Sequence, residues 1–139
     1  MSLQSIRQRR WLVPAALLLA LAVAGTALAK IARNTIDPTA TIAANGRQLA
    51  VTGPISVTAG ETAFIRVVVT QRSTGAVAEG IALLTGTGEI AQWKVRAVTL
   101  TRESFDEGPA TAVALARTTL RGQATDAHQW LVDVTLIRN

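Results

Sequence analysis

The chain contains no cysteine, and this absence removes several classes of protein at once. Without a thiol there can be no disulfide framework, no thiolate zinc site, no lipidated cysteine and no cysteine nucleophile. Histidine is nearly as scarce, because His128 is the only one in the sequence. A metal site built on several imidazoles is therefore excluded as well.

Acidic residues are missing from the first 36 positions, although the chain has nine of them. The formal net charge is +5 over 139 residues, and Arg7, Arg9 and Arg10 lie in this acid-free stretch. Residues 30–139 carry eleven basic and nine acidic side chains, which gives a net charge of +2. Since those cations are spread along the chain with no run of three, the sequence does not indicate nucleic-acid binding.

A run of 19 residues without a charge, residues 11–29, follows the three arginines. A basic start, an apolar stretch and small residues at Ala27 and Ala29 are the three parts of a secretory signal. The sequence therefore predicts cleavage between Ala29 and Lys30. The alternative is an uncleaved anchor, because 19 uncharged residues can span a bilayer as a helix. Under both interpretations the following domain is exported. It is periplasmic or secreted if the segment is cleaved, and anchored to the inner membrane by residues 11–29 if it is not.

Residues 30–139 have the composition of one ordinary domain. Residues 30–38 have mixed polarity and end in the turn pair Asp37-Pro38, so we interpret them as a linker and residues 39–139 as the domain. The part after residue 29 contains 17 threonines. Turn pairs such as Arg121-Gly122 separate short runs rich in Val, Ile, Thr and Ala. This pattern predicts about eight short strands.

Three of these strands alternate clearly enough to assign an inner and an outer face to each: residues 62–70, 93–101 and 128–137. Arg66 indicates the solvent-exposed face of the first strand, and Lys94 and Arg96 indicate that of the second. Trp93 and Val95 are therefore predicted to point into the core. The weaker predicted strands are residues 40–44, 48–52, 55–58, 77–84 and 110–118.

The number of strands and the lack of a long helical pattern favour an all-β fold. We predict a single antiparallel β-sandwich of seven or eight strands, which resembles the immunoglobulin or fibronectin type III architecture. Asp126, followed by Trp130 and Val132, is similar at a distance to a corner of that architecture in which Asp is followed by Tyr and Cys. The resemblance concerns the fold alone. Trp93 and Trp130 are predicted to fill the centre of the sandwich, as buried aromatic residues commonly do.

Residues that could carry catalytic chemistry are few. Asp126 lies two residues before His128, but the serines of the domain stand near turns and outside a Gly-x-Ser-x-Gly elbow. Glu103, Asp106 and Glu107 cluster in one loop, without the alternating Asp pattern of a calcium loop. We therefore predict no catalytic residue, no cofactor site and no metal site, and leave open whether the 103–107 loop binds a cation.

Apolar side chains on the outer faces of the strands are the remaining candidates for function. Phe64 and Val68 share a face with Arg66, while Leu131 and Ile137 lie opposite Trp130. These four residues are either covered by a loop or a second sheet, or they bind a protein partner through a sheet face or edge strand. The sequence favours an exported, non-enzymatic module for protein binding or structural support. The alternative is a small accessory subunit of a membrane or periplasmic enzyme complex.

Overall fold

The computed structural model of the chain describes residues 31–32 and 34–139. The predicted signal or anchor, including Ala27 and Ala29, lies outside these described residues. Within them the chain forms strands only, so no helix of the described part could cross a membrane. The strands are β1 (Ile31–Ala32), β2 (Thr39–Ala43), β3 (Gln48–Val57), β4 (Thr62–Gln71), β5 (Ala76–Thr85), β6 (Ile90–Thr99), β7 (Gly108–Leu120) and β8 (Gln123–Arg138).

Seven strands form a closed β-barrel in the order β3, β2, β8, β7, β4, β5, β6, and β6 pairs back to β3. The short β1 adds to one end of β3, with Ile31 beside Val57. Neighbouring strands are antiparallel except β2 and β8, which run parallel with Thr39 beside Thr135. The prediction of an immunoglobulin-like sandwich is therefore wrong. A sandwich packs two sheets face to face, whereas here one sheet curves until its two ends meet.

The barrel closes through pairings between distant parts of the sequence. β3 and β6 pair from Gln48 beside Val98 to Ser56 beside Ile90. Small inward side chains let the wall curve tightly around a narrow interior, because a barrel of this size is filled by its own side chains. The inner face of β7 consists of four buried alanines and one buried threonine: Ala110, Ala112, Ala114, Ala116 and Thr118.

The central strand β4 shows how the sequence sets the inner and outer faces. Ala63, Ile65, Val67 and Val69 are buried inside the barrel, while Arg66 is exposed on the outside. This confirms the predicted alternation of residues 62–70. β-Branched residues suit such a strand because they pack well on a pleated surface.

β3 runs without a break through Gly53 and Pro54, where the sequence suggested a turn between two strands. Gly53 lies beside Trp93 of β6. A Cβ atom at Gly53 would lie 2.2 Å from the carbonyl oxygen of Thr35 and 2.7 Å from Cζ2 of Trp93. The glycine thus makes room for the indole, whose predicted burial is confirmed at 2% exposure. Trp130 packs against the same core but is only half-buried.

The loop between β6 and β7 closes one end of the barrel, which we call the loop end. Phe105 of this loop is buried, and its backbone N–H donates to the carbonyl oxygen of Gly46 over 2.8 Å. Gln71 is fully buried beneath the loop. Its Nε2 donates to the carbonyl oxygen of Asp106 over 2.7 Å, and its Oε1 accepts the Asp106 N–H over 2.9 Å. These bonds fix the loop to the barrel.

The opposite end, which we call the entry end, holds the start of β1, residues 58–61, residues 86–89 and the turn Arg121-Gly122. Backbone bonds tie its loops together, including Gly60 N–H to Gly86 O at 3.0 Å. The described residues of the segment that we interpreted as a linker, 30–38, run along β3. Thr35 N–H donates to the carbonyl oxygen of Pro54 over 3.3 Å, and Asp37 N–H donates to that of Thr52 over 2.8 Å.

Candidate binding face

Outward side chains of four neighbouring strands form one apolar surface on the barrel. The strands are β5, β4, β7 and β8, which are consecutive in the sheet. The alternation of each strand sends every second side chain outward, and the registers then bring those side chains side by side. We call this surface the outer apolar strip; it consists of Leu83, Ile81, Phe64, Val68, Leu115, Val113 and Leu131.

The strand registers make the outer apolar strip continuous. Val68 of β4 lies directly beside Val113 of β7, which lies beside Leu131 of β8. Phe64 lies beside Leu83 of β5. Directly opposed side chains in antiparallel strands have Cβ atoms about 5 Å apart, so these residues contact one another across the sheet.

Much of the outer apolar strip is open to solvent. Leu83 is 72% exposed, Leu131 63% and Ile81 57%. Phe64 and Val68 are half-buried between their neighbours. Single exposed apolar residues are common on soluble proteins, but a contiguous group of this kind usually marks an interaction site.

Two arginines give the strip its charge pattern. Arg66 lies between Ile81 and Leu115, and its Nε contacts Oε1 of Glu79 at 2.6 Å. The guanidinium carbon of Arg117 lies 5.4 Å from the centre of the Phe64 ring, within range of a cation–π interaction. Among the described residues no carboxylate forms a salt bridge with Arg117. The strip therefore presents one uncompensated positive charge.

The Arg66–Glu79 contact changes the acidity of both groups. The hydrogen bond from Arg66 lowers the pKa of Glu79 below its usual value, and the attraction between the charges adds to this, although desolvation opposes it. The hydrogen bond to Glu79 likewise raises the pKa of Arg66. Both side chains are thus charged at neutral pH and neutralise each other within the strip.

Three of the four residues predicted for a binding face lie together. Phe64, Val68 and Leu131 belong to the outer apolar strip, and Val113 connects the β4 pair to Leu131. Ile137 is 40% exposed and also points outward, but it lies six residues further along β8, about 20 Å away. The structure therefore separates Ile137 from the other three.

Sequence reasoning missed Ile81, Leu83, Val113 and Leu115. These four residues could have been found from the weaker predicted strands, residues 77–84 and 110–118, because their alternation also divides them into two faces, as in residues 62–70. The alternation does not say which strands are neighbours in the sheet. Only the registers of β4 with β5 and β7 show that these residues adjoin Phe64 and Val68.

A shallow groove of about 760 Å³ adjoins the strip toward the loop end. Thr70, Thr111 and Asp133 line it, each two residues beyond Val68, Val113 or Leu131 on its own strand. Arg72 and Ser73 from the turn after β4 complete its polar wall. The groove extends the apolar surface with groups that can donate and accept hydrogen bonds.

The other residues weighed from the sequence lie away from the strip. Asp126 of β8 accepts the Ile31 N–H through Oδ2 over 3.1 Å, and Asn34 Nδ2 hydrogen-bonds Nδ1 of His128. Both contacts hold the segment before β2 against β8. His128 and Asp126 lie toward the entry end, whereas the 103–107 loop covers the loop end, so these groups do not share a pocket.

Acidic residues of the 103–107 loop contact the end of β8. Glu107 Oε1 accepts the Arg138 N–H over 2.9 Å, and Asp106 Oδ1 lies 3.6 Å from Nη2 of Arg138. The part of the chain that the structure describes contains no group of three His, Cys, Asp or Glu side chains placed to hold a metal ion. The observed contacts of Asp106 and Glu107 tie the loop to the C-terminal strand.

No known family model matches the chain, and no curated protein matches it either. The interpretation of function therefore rests on the surface just described.

Proposed function

We propose that the protein is an exported, non-catalytic binding module whose outer apolar strip contacts a partner protein. The observation that carries this proposal is the continuity of the strip across β5, β4, β7 and β8, with Leu83 and Leu131 largely exposed at its two sides. Covering such a surface removes apolar area from water, which is the main driving force of protein association.

The fold supports a contact through a face of the sheet. A closed barrel has one layer of wall, so an outward side chain has no second sheet to cover it. In a sandwich the same side chains could have packed between two sheets. The barrel thus leaves Phe64, Val68 and Leu131 on a surface that another molecule can reach.

The charges of the strip define the chemistry of the partner. Arg66 and Glu79 neutralise each other, while Arg117 keeps a free positive charge above Phe64. A matching surface is apolar and carries an acidic side chain that faces Arg117, because a like charge there would be repelled. The partner we propose is therefore a protein with an apolar patch and a carboxylate at its edge.

Export is the second part of the proposal. It is supported by the sequence of residues 1–29, in which three arginines precede 19 uncharged residues and Ala27 and Ala29 stand before the predicted cut. A partner would then be a protein of the periplasm, the cell envelope or the medium, or one at the inner membrane if residues 11–29 stay in place.

Site-specific photo-crosslinking in producing cells tests the binding face. A photoreactive amino acid at Leu131 or Leu115 is expected to give a discrete crosslinked product. The same amino acid at Ala43, which is exposed on β2 beside Gln48 of β3 and outside the strip, serves as the matched control and is expected to give none.

The mass and identity of the product separate the possible occupants. A product with a distinct second protein that bears an apolar, acidic surface supports the proposal. A product twice the mass of the chain would show that a second copy covers the strip. Absence of a product at both strip positions, or equal products at Leu131 and Ala43, would overturn the proposal.

A further inference from the structure

The described chain begins at the entry end of the barrel, next to the predicted signal or anchor. Ile31 already pairs with Val57 and donates its N–H to Asp126. Only Lys30 stands between Ile31 and Ala29, the last residue of the uncharged run. Two residues of extended chain reach about 7 Å. If residues 11–29 remain in the bilayer, the entry end of the barrel must lie at the membrane surface.

The turn between β7 and β8 projects from this same end. Arg121 and Gly122 both have positive φ, 51° and 80°, as a two-residue type I′ hairpin turn requires. Leu120, at the last position of β7, is 44% exposed, and Arg121 is exposed beside it. An apolar and a cationic side chain therefore stand together at the tip of the hairpin.

An apolar side chain beside a cationic one suits binding to the surface of a bilayer. An apolar side chain enters the region between headgroups and acyl chains, while arginine binds phosphate through several N–H donors. The acidic residues of the entry end add little exposed negative charge that would repel an anionic membrane. Glu61 is buried and accepts a hydrogen bond from Thr125, Asp126 bonds the backbone of Ile31, and Glu89 alone is exposed among the described residues there.

We propose that the anchored protein rests its entry end on the membrane, with Leu120 inserted among lipid headgroups and Arg121 bound to anionic phospholipid phosphates. The proposal rests on the export part of the proposed function, in its alternative form in which residues 11–29 stay uncleaved as an anchor, and adds an orientation to it. The axis of the barrel then stands away from the membrane, and the outer apolar strip on its side stays open to a partner. The rim of the barrel lies within one Debye length of the charged surface, which is about 8 Å at physiological salt.

A fluorescence experiment on the full chain tests this orientation. The chain is reconstituted into vesicles of phosphatidylethanolamine and phosphatidylglycerol, and an environment-sensitive dye is attached to Leu120→Cys. The absence of native cysteine makes the label specific. Leu100→Cys is the matched control, because Leu100 is even more exposed, at 65%, but lies at the loop end. The two ends are about 25 Å apart, given the length and tilt of the strands.

The dye at position 120 is expected to shift to shorter emission wavelength and to be quenched by spin-labelled lipid, whereas the dye at position 100 is not. Arg121→Glu in the Leu120→Cys chain is expected to shift the balance between the docked and the undocked barrel about fivefold toward the undocked state, and so to reduce the quenching at position 120, because each arginine near the surface contributes attraction of this size. Quenching that is absent at position 120, or equal at both positions, would overturn the proposal.

Recovery of the protein only as a soluble chain that begins at Lys30 would also overturn it. Neither result would affect crosslinking from Leu131, which lies on the side of the barrel. The failure of membrane docking and the failure of the binding face are therefore distinguishable.

Discussion

At the scale of single residues, Gly53 decides how the interior is filled. The buried indole of Trp93 takes up part of the space that a side chain at position 53 would occupy, since a Cβ there would lie 2.7 Å from Cζ2 of that ring. A carbonyl oxygen of Thr35 closes the site from the other side at 2.2 Å. Adding even one methyl group to an interior packed this closely destabilises the fold.

Gly53→Ala is therefore expected to destabilise the protein by about 2–3 kcal/mol, because the new Cβ must displace either the indole or the backbone at Thr35. Urea unfolding followed by tryptophan fluorescence measures this change. Ala50→Val on the same strand is the control, since Ala50 is half-buried with neither Trp93 nor Thr35 beside it in the register. Its effect should stay within about 0.5 kcal/mol. Equal effects of the two changes would show that Gly53 has no special role.

Burial could be predicted residue by residue where the sequence alternates. Trp93, Val95 and the inner residues of β4 were expected inside and are inside, because period two fixes which side chains share a face. The role of Gly53 could not be predicted, because glycine followed by proline is a turn signal unless the position of Trp93 is known. That position depends on a pairing 40 residues away along the chain.

At the scale of elements, β4 and β5 are joined by their ladder and by the Arg66–Glu79 ion pair on the outer face. The hydrogen bond from Arg66 lowers the pKa of Glu79. A carboxylate with a lowered folded-state pKa contributes stability above its unfolded pKa, near 4.3, and loses that contribution as the pH falls through the folded value. Both side chains are partly exposed, so the contribution is small.

Glu79→Gln is accordingly expected to lower stability slightly at pH 7 and to make no difference well below pH 4, where wild-type Glu79 is protonated as well. Urea unfolding of both proteins between these limits measures the trend. In the Arg66→Gln background the same substitution should lose most of its pH-dependent effect. A difference that grows as the pH falls would contradict the assignment.

Strand boundaries show where local sequence stops being informative. The predicted strands at 48–52 and 55–58 are one strand, β3, because the pairing with β6 continues through Gly53 and Pro54. Residues 31–32 form β1 although their sequence shows no period. In both cases a neighbouring strand supplies the hydrogen-bond partners that decide the conformation, and a sequence pattern does not contain that neighbour.

At the scale of the whole molecule, closure of the barrel determines what the outer faces can do. A single curved sheet buries its inner side chains and leaves the outer ones to solvent, so the outer apolar strip is a consequence of the topology. The alternation of the strands could be predicted from the sequence, whereas the closure of the barrel could not. Closure depends on the pairing of β3 with β6 and on the parallel pairing of Thr39 with Thr135, which link residues far apart in the chain.

If the outer apolar strip binds a protein with an acidic residue opposite Arg117, reversing the charge at position 117 must weaken the complex. Titration calorimetry of the crosslinked partner against wild type, Arg117→Glu and Arg102→Glu measures this; Arg102 is exposed in the loop after β6, at the loop end. Arg117→Glu is expected to weaken binding about tenfold or more through charge repulsion, while Arg102→Glu is expected to change it by less than about twofold. Equal affinities of wild type and Arg117→Glu, or an equal loss in both variants, would show that no acidic residue of the partner faces Arg117.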